Sequence, residues 1–196
     1  MPELPLVLLI GDSISMGYTP FAIDLMAGEA EVTHHEGNGG DSRNVRGKLD
    51  DWLAAVRNPS VIHFNCGLHD LKVDPATGDF QVPIEEYRDN LQAIAERLGR
   101  TGASLIWASS TPVIDEWHQA RKEFNRHDED VVRYNTAAAE VMAAAGITVN
   151  DLYALIAARD PKAMLSPDGV HYPDASYEIM AEAVADAVRE RLPKTP

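Results

Sequence analysis

The stretch PLVLLIGDSISMG, residues 5–17, decides the fold class of this chain. It begins with an unbroken apolar run that stops at a glycine, which is typical of a central parallel strand buried on both faces. Similar β-rich runs follow along the chain at 31–34, 61–66, 104–109 and 147–150. Together with the first run, they predict a sheet of five strands.

Helical patterns lie between the predicted strands. Apolar residues recur at helical spacing over 84–98, the alanine-rich segment 132–145 stops at Gly146, and Asp174 is expected to cap a last helix. The alternation of strands and helices predicts a doubly wound α/β sheet with helices on both faces. No repeat or linker divides the chain, so we expect one domain over residues 1–196.

Two segments are too long for ordinary connections between a strand and a helix. They are 72–83 and 112–128, and each follows a predicted strand. Loops at the carboxyl ends of parallel strands form the binding crevice in such sheets, so we expect these two loops to wall the pocket. The alternative is that they are surface decoration.

The composition excludes several classes of partner. Lys and Arg total 17 against 31 Asp and Glu, a formal net charge of -14 that repels phosphate backbones, so we expect no nucleic-acid partner. The longest apolar run is far shorter than the roughly 20 residues of a membrane helix. The N-terminus lacks a signal-peptide pattern, which favours a cytoplasmic location unless a leader has been trimmed. The one cysteine, Cys66, cannot form an intrachain disulfide.

Two patterns suit nucleophilic catalysis. Ser13 lies at a predicted strand-to-helix junction, where its hydroxyl and an unpaired backbone N–H lie together. Asp168 precedes His171 by three residues in a turn-rich stretch, so one tight turn can place the carboxylate against the imidazole. Each pattern also has an ordinary interpretation, a helix cap for Gly-Asp-Ser and a simple turn for Pro-Asp-Gly.

Two further polar blocks follow predicted strands, EGNGGDS at 36–42 and NCGLHD at 65–70. Glycines allow backbone N–H groups to approach a ligand closely, and phosphate binding is the rival function. The chain lacks a phosphate-loop pattern around Gly47-Lys48, and it has no G-x-S-x-G elbow of an α/β-hydrolase. Its histidines show neither metal-ligand spacing nor cysteine pairing, so we predict no metal and no cofactor.

Together, in this order, the four blocks resemble those of the SGNH or GDSL hydrolase family across nearly the whole chain. The resemblance implies a flavodoxin-like, three-layer α/β/α fold with a five-stranded parallel sheet and a site open at the strand ends. It implies a triad of Ser13, Asp168 and His171, with the serine as nucleophile. The oxyanion donors it implies include the backbone N–H groups of Ser13 and Gly40.

The third block departs from the family pattern, which has Gly-x-Asn-Asp where this chain has GLHD at 67–70. In the family, the asparagine amide is an oxyanion donor. An imidazole N–H is also a donor, so we expect His69 to take this role or to contact the substrate. The alternative is a structural hydrogen bond at His69, with Asn65 involved.

Three more residues are candidates for substrate contact: Asp12, Thr111 and Trp117. Asp12 belongs to the Gly-Asp-Ser block. Thr111 follows the fourth predicted strand, and similar Thr-Pro segments border the substrate pocket in the family that the chain resembles. Trp117, in the loop that follows, either stacks on a sugar ring or pins its own loop.

The favoured function is hydrolysis of a carboxylic ester through an acyl-serine intermediate. The polar loops and acidic composition favour a short acyl group, such as acetyl, on a carbohydrate. One alternative is a lysophospholipase or acyl-thioesterase of the same family, and another is a non-catalytic carbohydrate-binding or interaction module. The expected partner is a small-molecule or glycan ester, and the oligomeric state is left open.

Overall fold

A parallel sheet organises the computed structural model, which describes residues 3–119 and 123–193. Its strands are β1 Leu6–Ile10, β2 Glu31–His34, β3 Val61–Phe64, β4 Ser104–Ala108 and β5 Thr148–Asn150. Neighbouring strands are parallel and follow the order β2-β1-β3-β4-β5. This is the strand order of flavodoxin-like doubly wound folds, and it confirms the predicted five-stranded parallel sheet.

The helices flank this sheet in two packed groups. Their bounds are α1 Ser13–Leu25, α2 Ser42–Ala55, α3 Ile84–Gly99, α4 Asp115–Gln119, α5 Asp128–Ala144, α6 Leu152–Ala157, α7 Pro161–Met164 and α8 Asp174–Arg189. α1 packs against α8, whereas α2 packs against α3 and α3 against α5. Among the helices of the described ranges, none is long and apolar enough to cross a membrane. The arrangement is that of a three-layer α/β/α fold.

Two helix starts differ from the sequence prediction. α5 begins at Asp128 instead of residue 132, because three consecutive acidic residues form a first turn that the helix dipole favours. Asp174 is the first residue of α8 and makes no capping hydrogen bond, since Pro173 occupies the N-cap position. Its carboxylate still lies in the first turn, where the dipole favours negative charge.

The sheet also determines where the functional segments meet. Side chains of β1 and β3 are buried on both faces, with relative exposures of 0–1% for Val7–Ile10 and for Val61, Ile62 and Phe64. Because all strands run in the same direction, their carboxyl ends share one edge of the sheet. The segments after β1, β2 and β3 therefore emerge side by side, and they carry the Gly-Asp-Ser, glycine-rich and GLHD blocks.

The two long loops are joined to each other near this edge. Val73 donates its N–H to Asn125 O at 2.9 Å, and Asn125 donates its N–H to Val73 O at 2.9 Å. The second loop is less irregular than expected, since α4 lies within it and α5 starts early. Positions 120–122 of that predicted loop lie outside the described residues.

Candidate active site

Ser13 is the first residue of α1, directly after the end of β1. Asp12 is the N-cap, and its Oδ1 accepts the Ile14 N–H at 2.9 Å. The N–H of Ser13 has no acceptor among the residues that the structure describes. The Ser13 hydroxyl therefore lies beside an available backbone donor at the positive end of a helix.

Ser13 is connected to His171 and Asp168 by a chain of two hydrogen bonds. Ser13 Oγ lies 2.9 Å from His171 Nε2, although the two residues are 158 positions apart. His171 Nδ1 lies 2.6 Å from Asp168 Oδ2. Asp168 Oδ1 also accepts the backbone N–H groups of His171 and Val170, at 2.9 and 3.0 Å. The carboxylate is thus held by its own turn.

The charge of Asp168 determines which way these hydrogen bonds run. Burial alone raises the pKa of Asp168, but hydrogen bonds from the His171 ring and from two backbone N–H groups outweigh burial and lower it to about 2. Asp168 is therefore ionised at neutral pH and accepts the proton on His171 Nδ1. The other ring nitrogen, Nε2, is left with a lone pair that can accept the Ser13 proton.

The turn between Asp168 and His171 depends on a glycine. Gly169 has a φ of +74°, and a Cβ there would lie 2.6 Å from Ile114 O and 3.0 Å from Trp117 Cβ. Gly169 O accepts the Ile114 N–H at 2.9 Å. The segment between β4 and α5 therefore supports the turn, and Trp117 is part of this support.

Gly39 holds the glycine-rich loop against the end of β1. Its N–H donates to Gly11 O at 2.8 Å, and a Cβ on Gly39 would lie 2.6 Å from that oxygen. His35 Nε2–H also donates to Gly11 O, at 2.9 Å, and the His35 ring stacks on Trp52. These contacts explain why the loop after β2 closes over the strand end that precedes Ser13.

Gly40 has its N–H bonded to the side chain of Asn38. The distance from Gly40 N to Asn38 Oδ1 is 2.8 Å, and the φ of Gly40 is +63°. Asn38 is exposed and lines the same cavity as Ser13, whereas Gly40 is not among the lining residues. The predicted donor is therefore occupied by an exposed side chain, which must release it before an oxyanion binds there.

Asp70 connects the third block to the second. It is fully buried, and its two oxygens lie 2.9 and 3.1 Å from Ser42 N. Burial raises the pKa of Asp70 to about 7, although the contacts with Ser42 oppose the rise. Because Ser42 begins α2, Asp70 fixes the start of that helix and the turn that precedes it.

His69 lines the cavity that contains Ser13 and His171. Burial lowers the pKa of His69 to about 4, and the charges of Lys72 and Arg126 act in the same direction. The ring is therefore neutral at neutral pH, with one N–H and one acceptor nitrogen. The position offers the donor that the sequence predicts, and the role of His69 stays a prediction.

The cavity beside Ser13 has a volume of about 260 Å³. It is lined by Asp12, Ser13, Asn38, Leu68, His69, Lys72, Phe124, Arg126, Val170 and His171. Each predicted pocket loop contributes to it, Lys72 from the first, and Phe124 and Arg126 from the second. Sequence reasoning missed Asn38, Lys72 and Arg126 as individual residues. Their only signals were an asparagine in a glycine-rich turn and a position in a long loop.

Two predicted substrate contacts lie outside this cavity. Thr111 is buried and lines a separate space of about 10 Å³ together with Ser15 and Asn65. Trp117 is half buried on α4 and packs against the core and the turn at Gly169. Asp12 does line the cavity, but it is buried beneath Ser13 as a helix cap. The observed contacts of Trp117 match the alternative in which it pins its own loop.

A second serine and histidine pair lies close to the first. Ser15 Oγ is 2.7 Å from His34 Nε2, and it is also 2.7 Å from Asp12 O. Burial lowers the pKa of His34 to about 4, so its ring is neutral. Ser15 is only 2% exposed and does not line the cavity of Ser13. Ser15 therefore stabilises the start of α1 and does not face the cavity of Ser13, whereas the half-buried His34 lines a separate groove.

The other grooves of the described structure differ from the cavity of Ser13 in the side chains that line them. A groove of about 580 Å³ between α3 and α5 is lined by no serine, cysteine or histidine. Within residues 3–119 and 123–193, no group of three His, Cys, Asp or Glu side chains is placed to hold a metal ion. A second groove, of about 670 Å³ beside α2, is lined by His34, His35 and Lys48 but by no serine or cysteine of the described ranges.

Comparisons with known proteins point to the same kind of chemistry. The family model described as GDSL-like lipase/acylhydrolase matches residues 7–184. No curated protein matches the chain. A solved lipase/acylhydrolase from Enterococcus faecalis is similar in structure, with a TM-score of 0.81 and 20% identity over 98% of this chain and 100% of that one.

Two solved acetylxylan esterases are also similar in structure. One, called AlAXEase, has a TM-score of 0.76 and 18% identity, covering 93% of this chain and 99% of that one. The other, from Geobacillus stearothermophilus, has a TM-score of 0.75 and 16% identity, covering 95% and 94%. At these identities the structural likeness establishes the fold, while the family match extends over most of the sequence. The chain is a hydrolase that belongs to the GDSL-like lipase/acylhydrolase family.

Proposed function

We propose that this hydrolase removes a short acyl group, most simply acetyl, from a carbohydrate ester, with Ser13 as its nucleophile. The observation that carries the proposal is the hydrogen-bonded chain from Ser13 through His171 to Asp168, which opens into a cavity of about 260 Å³. A hydroxyl, an imidazole and an ionised carboxylate, hydrogen-bonded in this order, are what acyl transfer to serine requires.

In the proposed mechanism, Ser13 Oγ attacks the carbonyl carbon while its proton passes to His171 Nε2. The bond from the carbonyl carbon to the alcohol oxygen then breaks, and the alcohol leaves with the proton from His171. Water attacks the acyl-serine ester in the same way, with His171 taking its proton and returning one to Ser13. Asp168 stays ionised throughout and stabilises the imidazolium.

The negative oxygen of each tetrahedral intermediate requires hydrogen-bond donors. The N–H of Ser13 is available, and the ring of His69 lies on the same cavity. The N–H of Gly40 becomes available only when Asn38 Oδ1 releases it. Donors that are held by the fold before the reaction stabilise the intermediate without reorganisation, and this is usually a large part of catalysis.

The size and walls of the cavity favour a short acyl group. Its volume lies below the roughly 300–1,000 Å³ that drug-sized ligands occupy. Val82, Val113 and Ile114, which a lipid channel would use, are buried in the core, and Phe80 packs on Tyr134. A long acyl chain gains about 0.8 kcal/mol per buried CH₂ only where apolar walls are free to receive it.

A carbohydrate alcohol is favoured by the hydrogen-bonding groups among the lining residues and by the comparisons. Asn38, His69 and Lys72 present hydrogen-bonding groups to the cavity, which suit the hydroxyls of a sugar ring. Two of the structural neighbours are described as acetylxylan esterases, at 18% and 16% identity. These neighbours support the choice of sugar esters as the first substrates to test.

The test is a hydrolysis series of aryl esters from acetyl to palmitoyl, run beside acetylated xylo-oligosaccharides. We expect kcat/KM to fall steadily with acyl length and the acetylated sugars to be cleaved. A maximum at long acyl chains would support the lysophospholipase or thioesterase alternative. Absence of hydrolysis in the whole series would support a binding module. Ser13→Ala should be inactive, and Ser104→Ala, at the start of β4 outside the cavity, is the matched control.

A further inference from the structure

One wall of the cavity beside Ser13 carries two cations stacked on one aromatic ring. Lys72 Nζ lies 4.8 Å from the centre of the Phe124 ring, and the guanidinium carbon of Arg126 lies 5.0 Å from the same centre. All three side chains line the cavity with Ser13 and His171. We call Lys72, Phe124 and Arg126 the cationic wall.

Arg126 is buried and held in one position. Its Nε donates to Leu68 O, and its Nη1 donates to His118 Nε2 at 3.1 Å. Burial lowers the pKa of Arg126 to about 10, against the attraction of Asp12 and Asp168. The guanidinium therefore remains charged at neutral pH, and its position relative to the cavity is fixed by the fold.

Lys72 carries a charge that no described carboxylate pairs with. It is half buried, and no acidic oxygen within the described ranges lies within 4.0 Å of Nζ. The acids that act on the charge of Lys72 are Asp41, Asp12 and Asp70. Asp41 Oδ2 accepts the amide of Gln81 at 2.6 Å, and Asp70 accepts the Ser42 N–H. Asp12 lines the same cavity, where its Oδ1 caps α1 and its Oδ2 is buried without a hydrogen-bond partner among the described residues. A partly desolvated ammonium without an anion is an unfavourable arrangement that a bound anion relieves.

This local charge opposes that of the whole protein. The formal net charge of -14 repels anions from most of the surface. At the cavity, two cations line the same space as the nucleophile, and burial lowers the pKa of both. The one acid among the described lining residues, Asp12, is itself buried, and burial raises the pKa of its carboxyl group. An anionic ligand would therefore be attracted to this wall more than to the surrounding surface.

We propose that the cationic wall binds a carboxylate carried by the substrate, so that the enzyme acts on acylated uronic acids or glycans that contain them. This rests on the proposed function, since it places the acidic sugar next to Ser13. The carboxylate would contact the ammonium of Lys72, with Arg126 behind it. Alternatively, Lys72 only holds Phe124 in place. In that case the enzyme should cleave acidic and neutral sugar esters with equal kcat/KM.

The test compares an acetylated methyl glucuronoside with the methyl glucoside that is acetylated at the same ring hydroxyl and carries a hydroxymethyl group in place of the carboxylate. Wild type should prefer the acidic ester by roughly ten-fold or more in kcat/KM, mainly through KM, as expected for one hydrogen bond to a charged group. The preference should shrink at high salt because screening weakens it. Equal kcat/KM for the two esters would overturn the proposal.

Variants of Lys72 separate charge from packing. Lys72→Met keeps an apolar stem over Phe124 and should bring the ratio of acidic to neutral kcat/KM close to one, whereas Lys72→Arg should retain most of it. Lys162→Met removes a charge from α7, outside the cavity, and should keep the wild-type ratio. Equal losses on both esters in Lys72→Met would assign Lys72 a structural role and overturn the proposal.

A binding measurement distinguishes failure of this inference from failure of the proposed function. Calorimetry with Ser13→Ala should show that glucuronate binds more tightly than glucose, and that adding Lys72→Met removes the difference. Cleavage of aryl acetate and of the neutral sugar ester without an acidic preference would overturn only the cationic-wall proposal. Glucuronate binding that depends on Lys72, without cleavage of any ester, would support the carboxylate site at the cationic wall and refute the proposed esterase activity.

Discussion

Replacing His69 with alanine tests whether the GLHD block donates a hydrogen bond to the oxyanion. The imidazole lines the cavity of Ser13, and burial lowers its pKa to about 4, so the group to be removed is a neutral N–H donor. Such a donor meets a full negative charge in the tetrahedral intermediate and only a carbonyl dipole in the bound ester. The loss should therefore fall on kcat and leave KM nearly unchanged.

The expected magnitude follows from the number of donors at the site. Loss of one oxyanion donor typically costs about 10²–10³ in kcat, or about 2.7–4 kcal/mol. In this protein the Ser13 N–H is free, but the Gly40 N–H is engaged by Asn38, and breaking that bond costs about 1 kcal/mol. With no spare donor to take over, we expect His69→Ala to show the full loss. His69→Asn should recover part of it, since an amide also donates.

The assay is steady-state hydrolysis of an aryl acetate and an acetylated sugar between pH 5 and 9. The ring is neutral throughout this range, so His69→Asn should keep the shape of the wild-type pH profile. His127→Ala is the matched control, because it removes a half-buried imidazole that is bonded to Asp115 outside the cavity. Thermal melts show whether each variant is folded.

Three results would contradict this reasoning. Unchanged kcat in folded His69→Ala would refute the oxyanion role, and a rise in KM alone would make His69 a binding contact. An alkaline limb that disappears in His69→Asn would show that the imidazolium is the active form, against its low pKa.

Four further predictions follow from the buried and constrained groups. Ser13→Ala should lower kcat by at least about 10⁴-fold with the fold intact, and fragment-ion mass spectrometry should find a fluorophosphonate adduct on Ser13; an adduct on the buried Ser15 would refute the assignment. His63→Gln should reduce the pH dependence of the free energy of unfolding between about pH 4 and 6.5, while His34 and His69, whose pKa is also about 4, keep their own contributions. Burial lowers the pKa of His63 to about 4, so the unfolded chain binds the extra proton and wild type loses up to about 3 kcal/mol as the pH falls through this window, which denaturant titrations at several pH values measure. Asp70→Asn should act with the opposite sign: burial raises the pKa of Asp70 to about 7, so wild type loses stability as the pH rises from about 4 to 7, and the same titrations should show that the variant lacks this loss. Gly169→Ala should lower both Tm and kcat, because its φ is +74° and a Cβ would lie 2.6 Å from a backbone oxygen; a variant with wild-type melting and turnover would contradict this.

Much of the fold is encoded in local patterns. The run at residues 5–10 predicts a strand buried on both faces, and β1 is such a strand. Helix boundaries were harder to read, since the acidic residues before 132 look like loop but form the first turn of α5. Their favourable interaction with the helix dipole appears only once the helix exists.

In the candidate site, too, some residues could be predicted from local sequence, and others depended on how distant segments pack. Ser13, Asp168 and His171 could be selected from the sequence because each lies in a short motif whose residue types already suit one chemical role. Trp117 was harder to interpret, because an aromatic residue in a polar loop predicts stacking on a ligand equally well. Its contact with the turn at Gly169 depends on how the segment between β4 and α5 packs.

By itself, the sequence determined the class of fold, the order of its elements and the residue types available for covalent chemistry. These depend on the period of apolar residues and on local turn chemistry, which neighbouring positions specify. Only the tertiary structure decided that Asn38 occupies the N–H of Gly40, and that Lys72 and Arg126 share one aromatic ring beside the nucleophile. A net charge of -14 could not show a cationic wall, because electrostatics depends on distances and burial between residues that the sequence keeps far apart.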